Sequence, residues 1–329
     1  MKLTGKKVLV TGACGFIGSH LCEALVEKNC DVTALVYYNS WGTIGNLAFM
    51  PKQKRDQIKI IFGNVEDFHF MQSQTKNIEV VFHLAALIGI PYSYVAPLSY
   101  VKTNVEGTLS VLEAVRTNQI EKLIHTSTSE TYGSALYTPI DEAHPLQGQS
   151  PYSASKIGAD KLVESYFKSF NLPVTTLRPF NTFGPRQSTR AIIPTIIAQA
   201  LNKNTISLGS LSPIRDLNYV SDTVDAFIKI AESDQALGEV INAGHGKGIS
   251  IAELCQKIFQ LLDKNIEIQT DAQRVRPEKS EVHTLICNNQ KAKQIINWAP
   301  QVDLTKGLVN TIEFIKGHPE LFDNSRYGV

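Results

Sequence analysis

Tyr152-Ser153-Ala154-Ser155-Lys156 places a phenol and an amine four residues apart, directly after Pro151. Proline favours the first position of a helix, and residues four apart share one helical face. An ammonium beside a phenol, together with the field of a helix N-terminus, favours phenolate. The spacing therefore predicts a Tyr152 of lowered pKa that takes a proton from a hydroxyl group. Upstream, Thr126-Ser127-Thr128-Ser129-Glu130-Thr131-Tyr132-Gly133 follows the run Lys122–Thr126. There Thr128 can orient a hydroxyl proton and Glu130 can act as a base. Taken singly, Glu130 reads as a solvated turn residue and Thr128 as a strand end. Their coincidence with Tyr152 and Lys156 favours a catalytic set of Thr128, Ser129, Glu130, Tyr152 and Lys156.

Such groups need a frame. From Lys6 to Arg178, β-branched runs alternate with helical patterns: Val8–Val10, Val32–Val36, Ile58–Phe62, Val80–Leu84, Lys122–Thr126 and Val174–Leu177 read as strands. Helices are expected over Phe16–Lys28, Tyr100–Asn118 and Tyr152–Phe170, and the last two can pair across a dimer interface. This alternation predicts an α/β fold, a Rossmann-type doubly wound parallel sheet whose carboxyl edge carries the site. Beyond Arg178 the rhythm is irregular, with strand-like Arg215–Val220 and Val240–Asn242 and helices near Ile192–Leu201, Ser221–Ser233, Ile251–Leu262 and Leu304–Ile315. The expected division is a cofactor domain over 1–178, its sheet continued by about 216–245, and a smaller C-terminal lobe from 179–215 and 246–329.

Val10-Thr11-Gly12-Ala13-Cys14-Gly15-Phe16-Ile17-Gly18 puts three glycines between the first strand and the first helix. That arrangement suits a tight turn, close backbone approach to a pyrophosphate, and phosphate at a helix N-terminus. Gly12, Cys14, Gly15, Phe16, Ile17 and Gly18 are therefore expected to cradle a dinucleotide. Asp31 precedes the second strand, whereas a ribose ligand belongs after it, so it reads as a strand-entry residue. The strand ends in Tyr37-Tyr38-Asn39-Ser40. Without a carboxylate to favour NAD or an arginine to favour NADP, the choice stays open with NAD as the expectation. Asn64, followed by Val65, reads equally as an adenine contact or a turn asparagine. Leu84, Ala85 and Ala86 are small or apolar enough for close cofactor approach, and His83 before them reads as structural. With the proton chemistry above, Tyr152 removes a hydroxyl proton while the adjacent carbon gives hydride to the cofactor.

Composition narrows the partners. The 329 residues are 43% apolar and carry a formal charge of +1 from dispersed acids and bases, which predicts neither a nucleic-acid surface nor a membrane anchor. The N-terminus runs into Val8–Val10 without a signal-like segment, and no later stretch could span a bilayer, so a cytoplasmic protein is expected. Cys14, Cys22 and Cys30, spaced by eight, match neither a zinc site nor a redox pair, and no metal is expected.

Gly12, Gly15, Gly18, Thr128, Tyr152 and Lys156 together resemble the extended short-chain dehydrogenase/reductase family over nearly the whole chain. Thr128-Ser129-Glu130 resembles the GDP-mannose 4,6-dehydratases. Leu87-Ile88-Gly89-Ile90-Pro91-Tyr92-Ser93-Tyr94-Val95-Ala96-Pro97, Gly184-Pro185-Arg186-Gln187-Ser188 and Arg276-Pro277-Glu278-Lys279-Ser280-Glu281 are similar to the legionaminic-acid-pathway dehydratases. The resemblance implies a homodimer or higher oligomer acting on GDP-N-acetylglucosamine. It implies C4 oxidation, loss of water across C5 and C6, and hydride return to C6. It also implies that Ile88, Asn181, Arg186, Arg215 and Arg276 meet the nucleotide-diphosphate sugar, the last two at the diphosphate, which suits arginine's forked donors. Tyr219 and Asp222 read as packing and capping residues of the following helix. Dehydratases of the dTDP-glucose type carry Asp-Glu where this chain has Ser129-Glu130, so Glu130 must serve as both acid and base.

A UDP-glucuronate decarboxylase shares the Thr-Ser-Glu pattern and the first oxidation, and is the nearest alternative. A 4-epimerase inverts its substrate by rotation of a keto intermediate, which gives Glu130 no task. A cofactor-sensing protein without catalysis is the reading from another class, although such proteins typically lose the tyrosine or lysine that this chain keeps.

Overall fold

The computed structural model describes residues 1–271, 274 and 277–322. Its first six strands are β1 (Lys7–Thr11), β2 (Asp31–Tyr37), β3 (Lys59–Gly63), β4 (Val80–His83), β5 (Lys122–Thr126) and β6 (Val174–Pro179). They are followed by β7 (Asn181–Phe183), β8 (Thr205–Leu208), β9 (Ile214–Tyr219), β10 (Val240–Ala243), β11 (Gly248–Ser250), β12 (Glu267–Thr270) and β13 (Thr284–Leu285). Seven of them form one parallel sheet in the order β10-β6-β5-β4-β1-β2-β3. This is the Rossmann-type α/β fold expected from the alternation of β-branched and helical segments.

Both faces of that sheet are covered, which explains why its strands read as continuous apolar runs. Along β1, Val8 and Val10 belong to one buried cluster with Leu21 and Leu25 of helix Phe16–Glu27 and Phe227 of helix Val220–Glu232. Leu9, pointing the other way, joins Val111 and Val115 of helix Gly107–Thr117 and Val163 of helix Pro151–Phe170. Successive side chains alternate faces, so one strand feeds two cores. The chain runs outward from β1 through β2 to β3 and then crosses to β4 on the opposite side. The crevice at the carboxyl ends of β1 and β4 is consequently the topological switch point where such sheets hold ligands.

Of residues 216–245, only Val240–Ala243 extends the central sheet. Strand β9 instead spends its backbone groups on β7, β11 and β13 in a separate sheet, and β8 pairs with β12. The helix expected over Tyr100–Asn118 is real but composite. Val101–Glu106 is a wide π-type turn, and regular α-helix begins at Gly107. No helix among the described residues is long and apolar enough to cross a membrane.

Candidate active site

The loop after β1 is built by its glycines. Gly12 has φ +67°, and a Cβ there would stand 2.7 Å from the backbone nitrogen of Ala85. A Cβ on Gly18 would lie 2.3 Å from the Gly12 carbonyl, so only glycine lets the helix pack on the loop. Gly15 differs: its φ is −77°, and an added Cβ would meet only the Gly12 carbonyl, at 3.2 Å. Among the described residues no side chain caps helix Phe16–Glu27, and its first turn holds no acid. Its positive end, carrying Phe16 and Ile17, is therefore available to an anion. Cys14 is half-buried, and its carbonyl accepts the N–H of Asn46 at 2.9 Å.

Thr11 sets the opposite wall. Its hydroxyl oxygen accepts the N–H groups of Leu84 and Ala85, both at 3.1 Å, and bonds His83 Nδ1 at 2.8 Å. The other ring nitrogen of His83 meets Thr108 Oγ1 at 3.1 Å, and burial holds the imidazole neutral, far below its usual pKa. Leu84-Ala85-Ala86 thus faces the glycine loop through a fixed bend that sequence reasoning had not traced to Thr11. The uncapped helix end and the close approach of Gly12 to Ala85 together fit a dinucleotide pyrophosphate. Asn64 accepts the N–H of Glu66 at 3.1 Å, the geometry of a turn asparagine, while Val65 is buried in the core. Asp31 is exposed at the entry of β2, and Tyr37 and Tyr38 at its exit are exposed as well.

The reactive groups come from two adjoining segments. Ser150 and Ser153 form a reciprocal cap that starts helix Pro151–Phe170 one residue before Tyr152. Tyr152 packs edge-on to Tyr100 with ring centroids 6.2 Å apart, beside Leu87 and Ile90. Thr128 caps the single tight turn Ser129–Tyr132 by accepting the N–H of Glu130 at 3.2 Å. The same threonine lies close enough to the Tyr152 phenol to ease its ionisation, and the Glu130 carboxylate acts on that phenol electrostatically. Thr128, Glu130 and Tyr152 therefore converge. Ser129 is buried within the turn.

One expectation is corrected. Tyr152 is raised above the ordinary tyrosine value because burial penalises phenolate, with the nearby Thr128 hydroxyl opposing and Glu130, Tyr100 and Asp160 adding to the rise. The charge of Lys156 does not offset that rise. Its ammonium donates to the Thr126 carbonyl at 2.7 Å, and burial pushes its own pKa down to about 8 against the pull of Asp160.

Two further residues escaped sequence reasoning. Asn104, fully buried in the π-type turn, accepts from Leu87 N at 2.8 Å and donates to Leu87 O and Ser155 Oγ, both at 2.9 Å. It pins the segment after β4 to the helix bearing Tyr152. Asp160 lies one turn beyond Lys156 and is also buried. A buried polar residue inside an apolar helical pattern is the signal that marked both.

The substrate-side candidates divide. Asn181 opens β7, and its buried Oδ1 has no hydrogen-bond partner among the described residues. Ile88 is 67% exposed. Arg215 is buried on β9 and donates to Glu281 at 3.3 Å. Arg186 pairs through Nη2 with Glu23 of helix Phe16–Glu27 at 2.7 Å and tethers a loop, while its buried Nη1 has no hydrogen-bond partner among the described residues. Arg276 lies outside the described residues. Asp222 does not cap its own helix; its carboxylate accepts the N–H of Val302 at 3.0 Å, and the hydroxyl of Tyr219 accepts from Asn310 at 3.2 Å.

A parallel sheet with a glycine loop at its switch point, and a tyrosine and lysine four apart beside it, define the extended short-chain dehydrogenase/reductase class. Comparison with known proteins narrows this. The family described as GDP-mannose 4,6 dehydratase matches residues 9–311, and the chain belongs to it. Human dTDP-D-glucose 4,6-dehydratase is 30% identical over 323 residues, covering 94% of this chain and 90% of that protein. Among solved structures, a UDP-N-acetylglucosamine 4-epimerase from Methanobrevibacter ruminantium, in complex with UDP-N-acetylmuramic acid, superposes with a TM-score of 0.86 at 30% identity. It covers 96% of this chain and 99% of its own. A UDP-glucuronic acid 4-epimerase from Bacillus cereus, in complex with UDP-glucuronic acid and NAD, gives 0.86 at 27% identity over 94% of this chain and 99% of its own.

Proposed function

We propose that this protein is a nucleotide-sugar 4,6-dehydratase that converts GDP-N-acetylglucosamine to its 4-keto-6-deoxy derivative, using retained NAD. The observation that carries the reading is the convergence of Glu130 and Tyr152 through Thr128, which gives one sugar both a proton acceptor at C4 and a base at C5. A 4-epimerase leaves that carboxylate without work. The dinucleotide supplies a hydride acceptor for C4 and a hydride donor for C6. Tyr152 takes the C4 hydroxyl proton as the carbon is oxidised, with Thr128 orienting the transfer and Lys156 supplying positive charge. The new ketone acidifies the C5 proton. Glu130 removes it and gives it to the departing C6 hydroxyl, since Ser129 offers no carboxylate; hydride return to C6 is then matched by a proton delivered to C5, which the proton taken up by Tyr152 balances.

Gly12, Cys14, Gly15, Phe16, Ile17 and Gly18 bind the pyrophosphate, and Leu84, Ala85 and Ala86 flank the nicotinamide. The unpartnered Oδ1 of Asn181 supports its contact with the sugar nucleotide. The GDP base and N-acetyl group rest on the motif resemblance, because the relatives named above act on dTDP- and UDP-sugars. The exposed apolar side chains of Leu98, Val101 and Leu109 support a helix-to-helix homodimer. A cytoplasmic enzyme, with the smaller lobe built from 179–215 and 246–329, completes the proposal.

The test offers purified protein GDP-, UDP- and dTDP-linked hexoses while the retained cofactor is released and identified. Loss of water from a GDP-sugar, read by mass spectrometry, is the expected result, and epimerisation or loss of carbon dioxide instead overturns the reading. Glu130→Gln should abolish dehydration yet leave slow cofactor reduction, and full turnover by that variant removes Glu130 from the mechanism.

A further inference from the structure

Asp160 accepts four hydrogen bonds inside the protein. Its Oδ2 takes Ser127 Oγ at 2.7 Å and Arg178 Nε and Nη2 at 3.2 and 2.9 Å, and its Oδ1 meets His125 Nε2 at 3.2 Å. Arg178 extends the chain of contacts. Its Nη1 donates to the Tyr132 hydroxyl at 3.0 Å, its guanidinium lies 5.0 Å over the Tyr132 ring, and that hydroxyl donates to Asn242 at 2.7 Å. Ser127 leads into the turn that holds Glu130, and Tyr132 ends it. One carboxylate therefore ties that turn, through both of its ends, to the helix carrying Tyr152 and Lys156.

A simple counter-ion for arginine would meet the guanidinium fork with both oxygens. Here both arginine nitrogens converge on Oδ2, and Oδ1 is left to a histidine that burial keeps neutral. The groups around Lys156 are Asp160 and Tyr152 on its own helix, the Thr126 carbonyl and His125 on β5, His83 on β4 and Arg178 on β6. Asp160 is the charge that opposes burial of the ammonium.

We propose that Asp160 is a positioning residue that sets the turn bearing Glu130 against the helix bearing Tyr152 and places its carboxylate charge one helical turn from Lys156. The inference rests on the dehydratase reading only for the reaction those residues serve. Its test is Asp160→Asn, which keeps the shape, together with Asp160→Asn/Arg178→Met, which removes the buried pair and so avoids an unpaired guanidinium. The proteins are purified with retained dinucleotide, and Lys156 is titrated by NMR of 13Cε-labelled lysine, its signal assigned with Lys156→Met. In Asp160→Asn the Lys156 titration should move down by about one pH unit or more, and in the double variant, which also loses the Arg178 charge, by a smaller amount. The alkaline limb of kcat should follow, with KM changed less than about threefold. A Lys156 titration that stays at its wild-type position in either folded variant overturns the inference. The NMR titration needs no turnover, so a wild-type protein inert toward every sugar would sink the dehydratase reading and leave Asp160 judged on its own.

Discussion

Lys156 is anchored to Thr126: its ammonium donates to the carbonyl that ends β5, at 2.7 Å. The lysine is thereby held at the sheet edge by a main-chain acceptor, and its service to the phenol is that of a fixed positive charge. With burial bringing its pKa down to about 8, that charge disappears within the ordinary assay range. The direction is fixed by the sign of the shift, because a lysine with a depressed pKa is ammonium below that value and neutral above it. Turnover should therefore fall as pH rises through about 8. Lys156→Arg, which stays charged up to at least about pH 12, should remove that limb while lowering the rate through its larger head group. A pH–rate profile of both proteins checks this, and an alkaline limb unchanged in Lys156→Arg would assign it to another group.

The glycine loop separates fold from ligand. At Gly12 a methyl group would strike the backbone of Ala85, and the left-handed φ adds strain of about 1–2 kcal/mol. Gly12→Ala should lower the melting temperature and empty the site together. Gly15→Ala has an ordinary φ and a single contact at 3.2 Å, so it should melt within a few degrees of wild type. A methyl group there adds bulk to the loop proposed to cradle the pyrophosphate, so bound dinucleotide should drop at least about tenfold, roughly 1.4 kcal/mol. Calorimetry and release of bound cofactor decide the matter. Full cofactor content in Gly15→Ala would move the pyrophosphate elsewhere.

How much of this was legible beforehand follows the range of the interactions. The β-branched runs, the three glycines and the Tyr152–Lys156 spacing are local patterns, and each became the element it suggested. The behaviour of Tyr152 was not local. Its phenol is buried by Tyr100, fifty-two positions earlier, and that desolvation outweighs a lysine whose partner turned out to be a carbonyl. Arg186 stood out only through its motif, and its ion pair with Glu23, far upstream, could not be read from that motif. Strand β9 was recognisable as a strand, but which sheet it joins depends on β7, β11 and β13, none of them adjacent to it in sequence. Periodicity reveals which face of an element is apolar, and says nothing of which distant group will meet its polar atoms.

His20 supplies a stability test away from the reaction. Its Nε2 bonds the Pro185 carbonyl at 3.0 Å, and burial, reinforced by the charge of Arg186, brings its pKa down to about 4. The unfolded chain, with an ordinary histidine near 6.5, binds the extra proton across the window between those values. Stability conferred by a neutral His20 is thus complete above about pH 6.5 and is lost as pH falls toward about 4. The loss amounts to about 2 kcal/mol by pH 5. His83 and His125 are depressed as well and titrate in the same sense, so the informative quantity is a difference between proteins. His20→Gln keeps a donor for Pro185 and cannot titrate. Against wild type it should be less stable near neutrality and gain about 2 kcal/mol on it between pH 7 and pH 5, measured by urea unfolding at each pH. A stability difference that is the same at both pH values would mean that His20 already carries its proton in the folded protein.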